Sequence, residues 1–464
     1  MRRQLAAGAL SALSALAMAC GQSQAQAFEQ SAINLPSTVK EVLVKVYVQS
    51  PEIQATQARL RGTDEEVEKA NSRWRPTVSV TASQSAVKRE TYTLGGRTQE
   101  VETTSAQVIL SQPLFRGGRT IAEIRKTKAL VRSGRAELRA LENEVMLSGI
   151  NVLADLNRDY AIDASFGEST RLLERTLAAV REMRSYKAAT ATDVSQVEAR
   201  LARTRRGAAS VREQLAQSIA EYVRITGEHP TSLSAEFEGP DVMLSENALQ
   251  NSAEGHPSVI GAKEAEIAAG HAVREAFGAI QPEVSLNAQY QYGYNQVPGV
   301  PTGVSQGTTT LYVQARWQFY QGGVEYASLR QAKALSEQRH SELIQTRREV
   351  QKAIAQAHAA LIASKGALSA SQAELQANMS AYEGVVTAQK GGEKSILDVL
   401  NATEEYLNAR VAVARAKRDR VASAFQLIAS IGQLTPERLA LPVKRYDPTE
   451  NYNQVVGSWI GFGK

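Results

Sequence analysis

Two short stretches carry the residues with the clearest chemical potential. The stretch 391–403 reads GGEKSILDVLNAT, in which Ser395 is followed three residues later by Asp398. This spacing is a variant of the capping box, in which two side chains satisfy backbone N–H groups in the first turn of a helix. Thr190 and Asp193 repeat the pattern earlier in the chain. The sequence therefore predicts two tight turns, each opening a helix and each carrying an acidic side chain.

Acidic side chains at such turns cap the helix by accepting backbone N–H groups of its first turn. Enzyme chemistry is not indicated. The five histidines show no metal-ligand spacing, the glycine pairs lack the Lys-Ser/Thr of a phosphate loop, and no Gly-x-Ser-x-Gly motif is present. We therefore expect no catalytic residues, metal ions or cofactors.

The two turns belong to a duplicated chain. Their acidic residues stand 205 positions apart, and so do the glycine pairs at 117–118 and 322–323. Pro51 and Pro257 are offset by 206 positions. A register held over several such points indicates one unit fused to its twin, because a solenoid would need three or more copies.

Each repeat is predicted to contain a helix, two strands, a long helix, a turn and a return helix. The first repeat covers 28–232, with its turn near 188–193. The second covers 233–432, with its turn near 390–398. A C-terminal segment, 433–464, is expected to wrap the middle of the helices as an irregular equatorial region.

The long helical patterns cover 120–187 and 325–390 and are rich in Ala, Leu, Glu, Arg and Gln. Their apolar residues keep the 3–4 spacing of a coiled-coil seam. At ~1.5 Å per residue, each helix would be ~100 Å long. Helices of this length do not fit a compact domain, so the turns are expected to be the tips of two long hairpins.

Two strand pairs are predicted, at about 77–114 and about 283–320, with apolar and polar residues alternating along them. A soluble hairpin lying on the helices and a membrane-spanning strand both fit this alternation. The aromatic ends of the apolar faces and the long helices favour the membrane. The residues expected to face lipid are Tyr290, Tyr292, Trp317 and Phe319, and those expected to face a lumen are Gln289, Gln314 and Arg316. Four strands cannot close a barrel, which needs about eight or more, so several chains must contribute.

The N-terminus predicts export. A charged start precedes an apolar run at 5–19 and a small-x-small cleavage motif at 25–27, so residues 1–27 are expected to be a signal peptide and Phe28 the mature start. Cys20 leaves open a second possibility, a lipid-modified N-terminal cysteine. The net charge is only +5, and the basic runs lack the interleaved aromatics of a single-strand nucleic-acid binder. We therefore expect no nucleic-acid partner.

Taken together and in register, these features resemble the TolC family of outer-membrane channel-tunnels. The resemblance covers essentially the whole mature chain. It is carried by the duplication, by QPLFRGG at 112–118 and WQFYQGG at 317–323, and by SILDVLNAT at 395–403. Near the C-terminus, YDP at 446–448 with Tyr452 and Trp459 resembles the branch associated with type I secretion.

The resemblance implies an α+β membrane protein in which a long α-helical coiled-coil barrel continues a transmembrane β-barrel with four strands per chain. It also implies a homotrimer in outer-membrane lipid, with the helical tunnel in the periplasm. The implied partners are a periplasmic adaptor protein and an inner-membrane ABC or proton-driven transporter. The implied function is an exit duct for efflux or type I secretion, and the cargo, toxic compounds or unfolded protein, stays open.

The resemblance further implies roles for residues at the tips. Asp398 matches an acidic ring at the pore constriction, and Asn401 stands where better-known members have a second aspartate. A polar gate latch would involve Thr192, Asp193, Gln389 and Lys394. Lys394 replaces the usual arginine and Gln389 a tyrosine. Lysine lacks the bidentate fork of arginine, so we expect a latch of moderate strength.

Two other protein classes stay open at this point. A periplasmic adaptor is also exported and bears a helical hairpin, but it should have one hairpin and a lipoyl-like β domain. A coiled-coil scaffold protein without a pore would use the helices alone. Trimer formation and outer-membrane fractionation separate these classes from a channel.

Overall fold

The computed structural model describes residues 33, 35–91, 97–230, 238–241, 252–296, 303–459 and 461. The expected signal peptide, with Cys20 and Phe28, lies outside these residues. The chain divides into two units. The first contains residues up to Thr56, Ala136–Ile260 and Thr346–Tyr446, and the second contains Gln57–Arg135, Gly261–Gln345 and the residues from Asp447 onward.

The second unit contains one antiparallel sheet of four strands, in the order β1-β2-β3-β4. The strands are β1 Thr77–Thr91, β2 Arg97–Arg116, β3 Glu283–Gln296 and β4 Val304–Arg316. The two hairpins are joined in the middle, where β2 pairs with β3. Because β1 and β4 end the order, each has one edge that pairs with no other strand among the described residues.

The register of the sheet separates an apolar face from a polar one. Val80 pairs with Val108, and Val108 pairs with Tyr290. Residues paired directly across antiparallel strands share a face, because successive side chains point to opposite sides. The apolar face includes Val78, Val80, Val108, Leu110, Tyr290, Tyr292, Leu311 and Val313, and the polar face includes Thr81, Gln107, Gln289, Gln291, Thr310 and Gln314. On the apolar face of this single chain, Val80 is 72% exposed and Leu311 is 71% exposed.

The second hairpin is shorter than the sequence predicted, because β4 ends at Arg316 rather than near residue 320. The indole N–H of Trp317 donates to the carbonyl oxygen of Ile280 at 3.1 Å, which draws the chain away from the ladder. The rings of Trp317 and Phe319 then meet with centroids 4.2 Å apart. Both aromatic residues therefore follow the strand instead of lying on it.

Helices make up most of the remaining described chain. Their bounds are α1 Ser37–Gln49, α2 Pro51–Ser72, α3 Arg119–Ser185, α4 Ala191–Thr226, α5 Pro257–Gly278, α6 Val324–Lys390, α7 Ile396–Ser430 and α8 Glu450–Val455. The two long helices, α3 and α6, each have 67 residues. Helix α4 returns from α3 and α7 returns from α6, so each repeat contains a helical hairpin.

Local chemistry explains where these helices begin and end. Proline at the first position of α2 and of α5 has no backbone N–H to leave unsatisfied. At the end of α4, Gly227 adopts φ +71° and donates its N–H to the Val223 carbonyl. That left-handed conformation favours glycine and closes the helix.

In the first unit, a buried core at the base of the hairpins, opposite their tips, packs α1, α3 and α7 together. Asn143 of α3 donates to the Ala429 carbonyl at 2.8 Å and accepts the Leu434 N–H at 2.9 Å. The hydroxyl of Tyr47 donates to the carboxylate of Glu142 at 2.9 Å, and both side chains are buried. Phe425, Leu427 and Ile428, which precede Ala429 in α7, are fully buried. The hairpins therefore extend from a packed, hydrogen-bonded base.

The C-terminal segment predicted at 433–464 is not one structural region. Its part up to Tyr446 belongs to the first unit, and its part from Asp447 belongs to the second. The later part contains the short helix α8 and makes its own contacts with α2, described below.

No helix in the described part of the chain is both long enough and apolar enough to cross a membrane.

Candidate functional site

The tips of both hairpins carry the predicted capping boxes, which are confirmed. In the first, Thr190 Oγ1 accepts the N–H of Asp193 at 3.2 Å, and Asp193 Oδ2 accepts the N–H of Thr190 at 2.8 Å. In the second, Ser395 Oγ accepts the N–H of Asp398 at 3.2 Å, and Asp398 Oδ2 accepts the N–H of Ser395 at 2.9 Å. Each carboxylate therefore satisfies an otherwise orphaned donor at a helix start.

The same hydrogen bonds hold both acidic side chains in the ionised form. Bonds from the backbone and side chain of Thr190 lower the pKa of Asp193. Bonds from the side chain and backbone of Ser395 lower the pKa of Asp398, and the positive charge of Lys394 adds to this effect. A negative charge at a helix N-terminus is also favoured by the helix dipole. Each tip thus presents a fixed negative charge.

Among the described residues, no hydrogen bond or ion pair joins any two of the four residues predicted to form a gate latch. Asp193 is engaged by its own cap, and Thr192 is exposed. Gln389 and Lys394 lie on either side of the second turn. Among the ion pairs of the described residues, none joins Lys394 to Asp193. The polar latch between hairpins therefore stays a prediction.

A different polar contact joins the two hairpins, and Arg200 of α4 is its centre. Arg200 Nη2 donates to Asn401 Oδ1 of α7 at 2.8 Å. The same guanidinium forms an ion pair with Glu404, one turn further along α7. Arg203 approaches Glu404 at 3.6 Å. We call this group, Arg200, Arg203, Asn401 and Glu404, the arginine bridge.

The arginine bridge lies next to an apolar contact between the same helices. Leu400 of α7 is 1% exposed and packs with a cluster from the first hairpin. That cluster contains Leu173, Leu177, Val180, Val194, Val197 and Leu201. Burial of apolar surface stabilises the contact between the two hairpins but does not specify how the helices are oriented. The hydrogen bonds of the guanidinium group require a defined geometry and therefore specify this orientation.

Two further polar contacts join the hairpins away from the tip. Arg410 of α7 pairs with Glu168 of α3, and its guanidinium lies over the ring of Tyr406, 5.7 Å from the ring centre. Arg418 of α7 pairs with Asp155 of α3 at 2.7 Å. Polar contacts between the two hairpins therefore occur at several positions along α7, from Asn401 to Arg418.

Sequence reasoning missed Arg200 and Glu404 and gave Asn401 only a pore role. One signal was present, because Asn401 and Glu404 are three positions apart and therefore share a helix face. The basic runs, one of which contains Arg203, were considered only as possible nucleic-acid contacts. Nothing in a single sequence states which residues of α4 and α7 meet, since they are about 200 positions apart.

The sequence profile of the outer membrane efflux protein family matches the chain twice, over residues 42–228 and 248–433. These matches span most of the chain, which therefore belongs to this family. It is an outer-membrane efflux channel and not an enzyme. The alternatives of a periplasmic adaptor and of a scaffold without a pore are thereby excluded. The double match also agrees with the internal repeat.

Individual relatives support this assignment. Outer membrane efflux protein BepC of Brucella suis biovar 1 (strain 1330) is 27% identical over 428 residues, which cover 92% of each chain. The Campylobacter jejuni CmeC outer membrane channel has the same fold, with a TM-score of 0.75, 16% identity, and coverage of 90% of this chain and 89% of that one. A membrane protein from Pseudomonas aeruginosa gives a TM-score of 0.77 at 15% identity, with coverage of 87% and 91%.

Proposed function

We propose that three copies of this chain form an exit duct whose periplasmic end is gated at the hairpin tips. The observation that carries the proposal is the four-stranded sheet, which has an apolar face, a polar face and two edges that pair with no further strand in the described part of the chain. Unpaired edges in lipid are costly because water cannot satisfy their backbone groups. Four strands are too few to close, and pairing β1 of one chain with β4 of the next removes every edge.

The proposed partners are a periplasmic adaptor protein and an inner-membrane ABC or proton-driven pump. Membership of the outer membrane efflux protein family supports this arrangement. The similarity to BepC, an outer membrane efflux protein by name, supports efflux, and small toxic compounds are the first candidate cargo. Export of unfolded protein is the second candidate, and the C-terminal YDP motif with Tyr452 and Trp459 favours it.

We propose that Asp398 forms the narrowest, most negative part of the pore and that the arginine bridge holds the two hairpins of each chain together. Three copies of an ionised carboxylate near a symmetry axis would attract cations. Asn401 contributes to the bridge and carries no charge, so Asp398 dominates the electrostatics. Thr192, Asp193, Gln389 and Lys394 form the contacts between neighbouring chains in this proposal.

A combined experiment tests the assembly and the pore. The protein purified from outer membranes should run as a trimer that resists denaturant until it is heated, and it should conduct ions in planar lipid bilayers with a preference for cations. Divalent and trivalent cations should block the current from the periplasmic side. A stable monomer in detergent with its full strand content would contradict trimeric closure, and conduction without cation preference would contradict the role of Asp398.

A further inference from the structure

Helix α2 buries two acidic side chains one turn apart on the same face. Asp64 is fully buried and Glu68 is 8% exposed. Moving an ionised carboxylate out of water is costly unless it is hydrogen-bonded or paired. Two buried carboxylates on one face of a helix therefore need hydrogen-bond donors from another part of the chain.

The C-terminal segment from Asn451 to Trp459 supplies those donors. Asn451 Nδ2 donates to Asp64 Oδ2 at 2.8 Å. The backbone N–H of Gly457 donates to Glu68 Oε1 at 3.0 Å. Gly457 adopts φ +96°, a conformation that favours glycine and lets the backbone approach the carboxylate. Asn451 is the second residue of α8, and Gly457 follows the last residue of α8 by two positions. Both ends of this short helix are therefore attached to α2.

Two arginines complete the attachment. Arg75 Nη2 donates to Glu68 Oε2 at 2.5 Å, Arg75 Nη1 donates to the Ser458 carbonyl at 2.6 Å, and the guanidinium lies over the ring of Trp459, 5.0 Å from its centre. Arg135 lies over the ring of Tyr452 at 5.1 Å. A guanidinium over the face of an aromatic ring is attracted to the ring electrons, so both stacked pairs stabilise the attachment.

The electrostatics of the two acids depend on the segment. Burial raises the pKa of Asp64, and the bond from Asn451 opposes this effect. Burial also raises the pKa of Glu68, but bonds from Asn71, the Gly457 backbone and Arg75 together lower it. Without the segment, Asp64 and Glu68 would each lose a donor that these contacts provide.

We propose that the surface formed by Asp64 and Glu68 of α2 and by Arg75, which follows this helix, is a docking site for the chain's own C-terminal segment, Asn451–Trp459. The site recognises an amide donor, a backbone N–H and an aromatic ring in that order. Arg75 is two residues from Thr77, the first residue of β1. Occupancy of the site therefore fixes the junction from which β1 starts.

The site has a consequence for the order of assembly. The segment Asn451–Trp459 follows all four strands along the chain and is therefore made after them. The start of β1 is fixed only once the chain has been made through Trp459. This inference does not depend on trimer formation or on conduction, because every contact lies within one chain.

Hydrogen exchange on full-length variants tests the docking site. In Asn451→Asp, a second negative charge faces Asp64, and amides in 64–78 should exchange at least about tenfold faster, since breaking a hydrogen bond to a buried charge lowers local stability. The matched control is Asn453→Asp, which makes the same change on an exposed position of α8. It should leave exchange in 64–78 within about twofold of the unmodified chain.

A swap variant separates docking from general damage. In Asp64→Asn with Asn451→Asp, the amide and the carboxylate exchange places, so the hydrogen bond is restored. Exchange in 64–78, and tryptic cleavage after Arg73, should then return to within about threefold of the unmodified rates. Unchanged exchange in Asn451→Asp, equal effects of Asn451→Asp and Asn453→Asp, or a swap variant no better than its single changes would each overturn the proposal.

Discussion

The arginine bridge provides the sharpest test of the proposed gate. Replacing Arg200 by alanine removes the bond to Asn401 and the ion pair with Glu404 in one step. If the bridge holds the hairpins of one chain together, its loss should shift the tips toward a wider state. The expected observation is a larger fraction of time at high conductance in single-channel recordings.

The magnitude follows from exposure and geometry. The side chain of Arg200 is 25% exposed and that of Glu404 is 37% exposed, so water screens their ion pair partly. We assign about 1 kcal/mol to the pair and about 1 kcal/mol to the bond with Asn401, which gives roughly 2 kcal/mol per chain. In the proposed trimer, three copies released together contribute roughly 6 kcal/mol, enough to reverse a strongly biased two-state equilibrium.

Two further variants are compared with Arg200→Ala. Arg205→Ala removes another arginine of α4, which pairs with Glu174 at 2.7 Å inside the first hairpin and does not reach the second. It should leave conductance close to the unmodified value. Arg200→Lys should give an intermediate effect, because a lysine cannot bind Asn401 and Glu404 at once through a planar fork.

A double-mutant cycle identifies the partner of Arg200. If Arg200 and Glu404 act as a pair, Arg200→Ala combined with Glu404→Ala should change the open fraction little more than Arg200→Ala alone. Equal effects of Arg200→Ala and Arg205→Ala, or strictly additive effects of the two alanine substitutions, would refute this explanation of the gate.

Four further predictions concern the pore, the tips, the core and the sheet. Asp398→Ala should weaken cation preference and block by multivalent cations, measured as reversal potential and current inhibition; unchanged values would leave the residue a helix cap only. Because the pKa of Asp193 is lowered in the folded state, its capping contribution, about 0.5–1 kcal/mol, is present above the unfolded pKa and lost as the pH falls through the folded value. Asp193→Ala should therefore flatten the acid side of a thermal-unfolding profile. Burial raises the pKa of Glu142, so its stabilising effect is greatest when it is protonated and declines as the pH rises through the folded value. Glu142→Gln should remove this decline, and a profile identical to that of the unmodified chain would contradict it. Cysteine at Tyr290 should react with a lipid-soluble reagent and cysteine at Gln289 with an aqueous one, and the reverse result would mean that the register is displaced by one residue.

The features that sequence reasoning predicted well are those with local causes. The capping boxes at Thr190 and Ser395 depend on residues three positions apart, and the alternation along β3 depends on neighbours two positions apart. The long helices follow from composition and periodicity over many turns. Such patterns can be recognised in the sequence because the interacting groups are close along the chain.

The features that sequence reasoning missed depend on distant partners. Asn401 was singled out by its position, but its partner Arg200 lies on another helix, and only the packing of α4 against α7 selects it. The end of β4 was placed too late, because alternation continues through Trp317 and Phe319 although the indole bond to Ile280 removes them from the ladder. The later part of the C-terminal segment contacts the buried acids of α2, and the helix pattern alone does not reveal this contact.

The two free edges of the sheet have a genetic consequence. In the proposed trimer, each chain must offer β1 to one neighbour and β4 to the other, so one chain with a damaged edge leaves the whole ring open. If a cell makes intact and damaged chains in equal amounts and they mix at random, only about one-eighth of the rings contain three intact chains. An allele that damages one edge strand while leaving the other able to pair would therefore be dominant, and it would make the cell sensitive to the exported compounds even beside a normal copy of the gene.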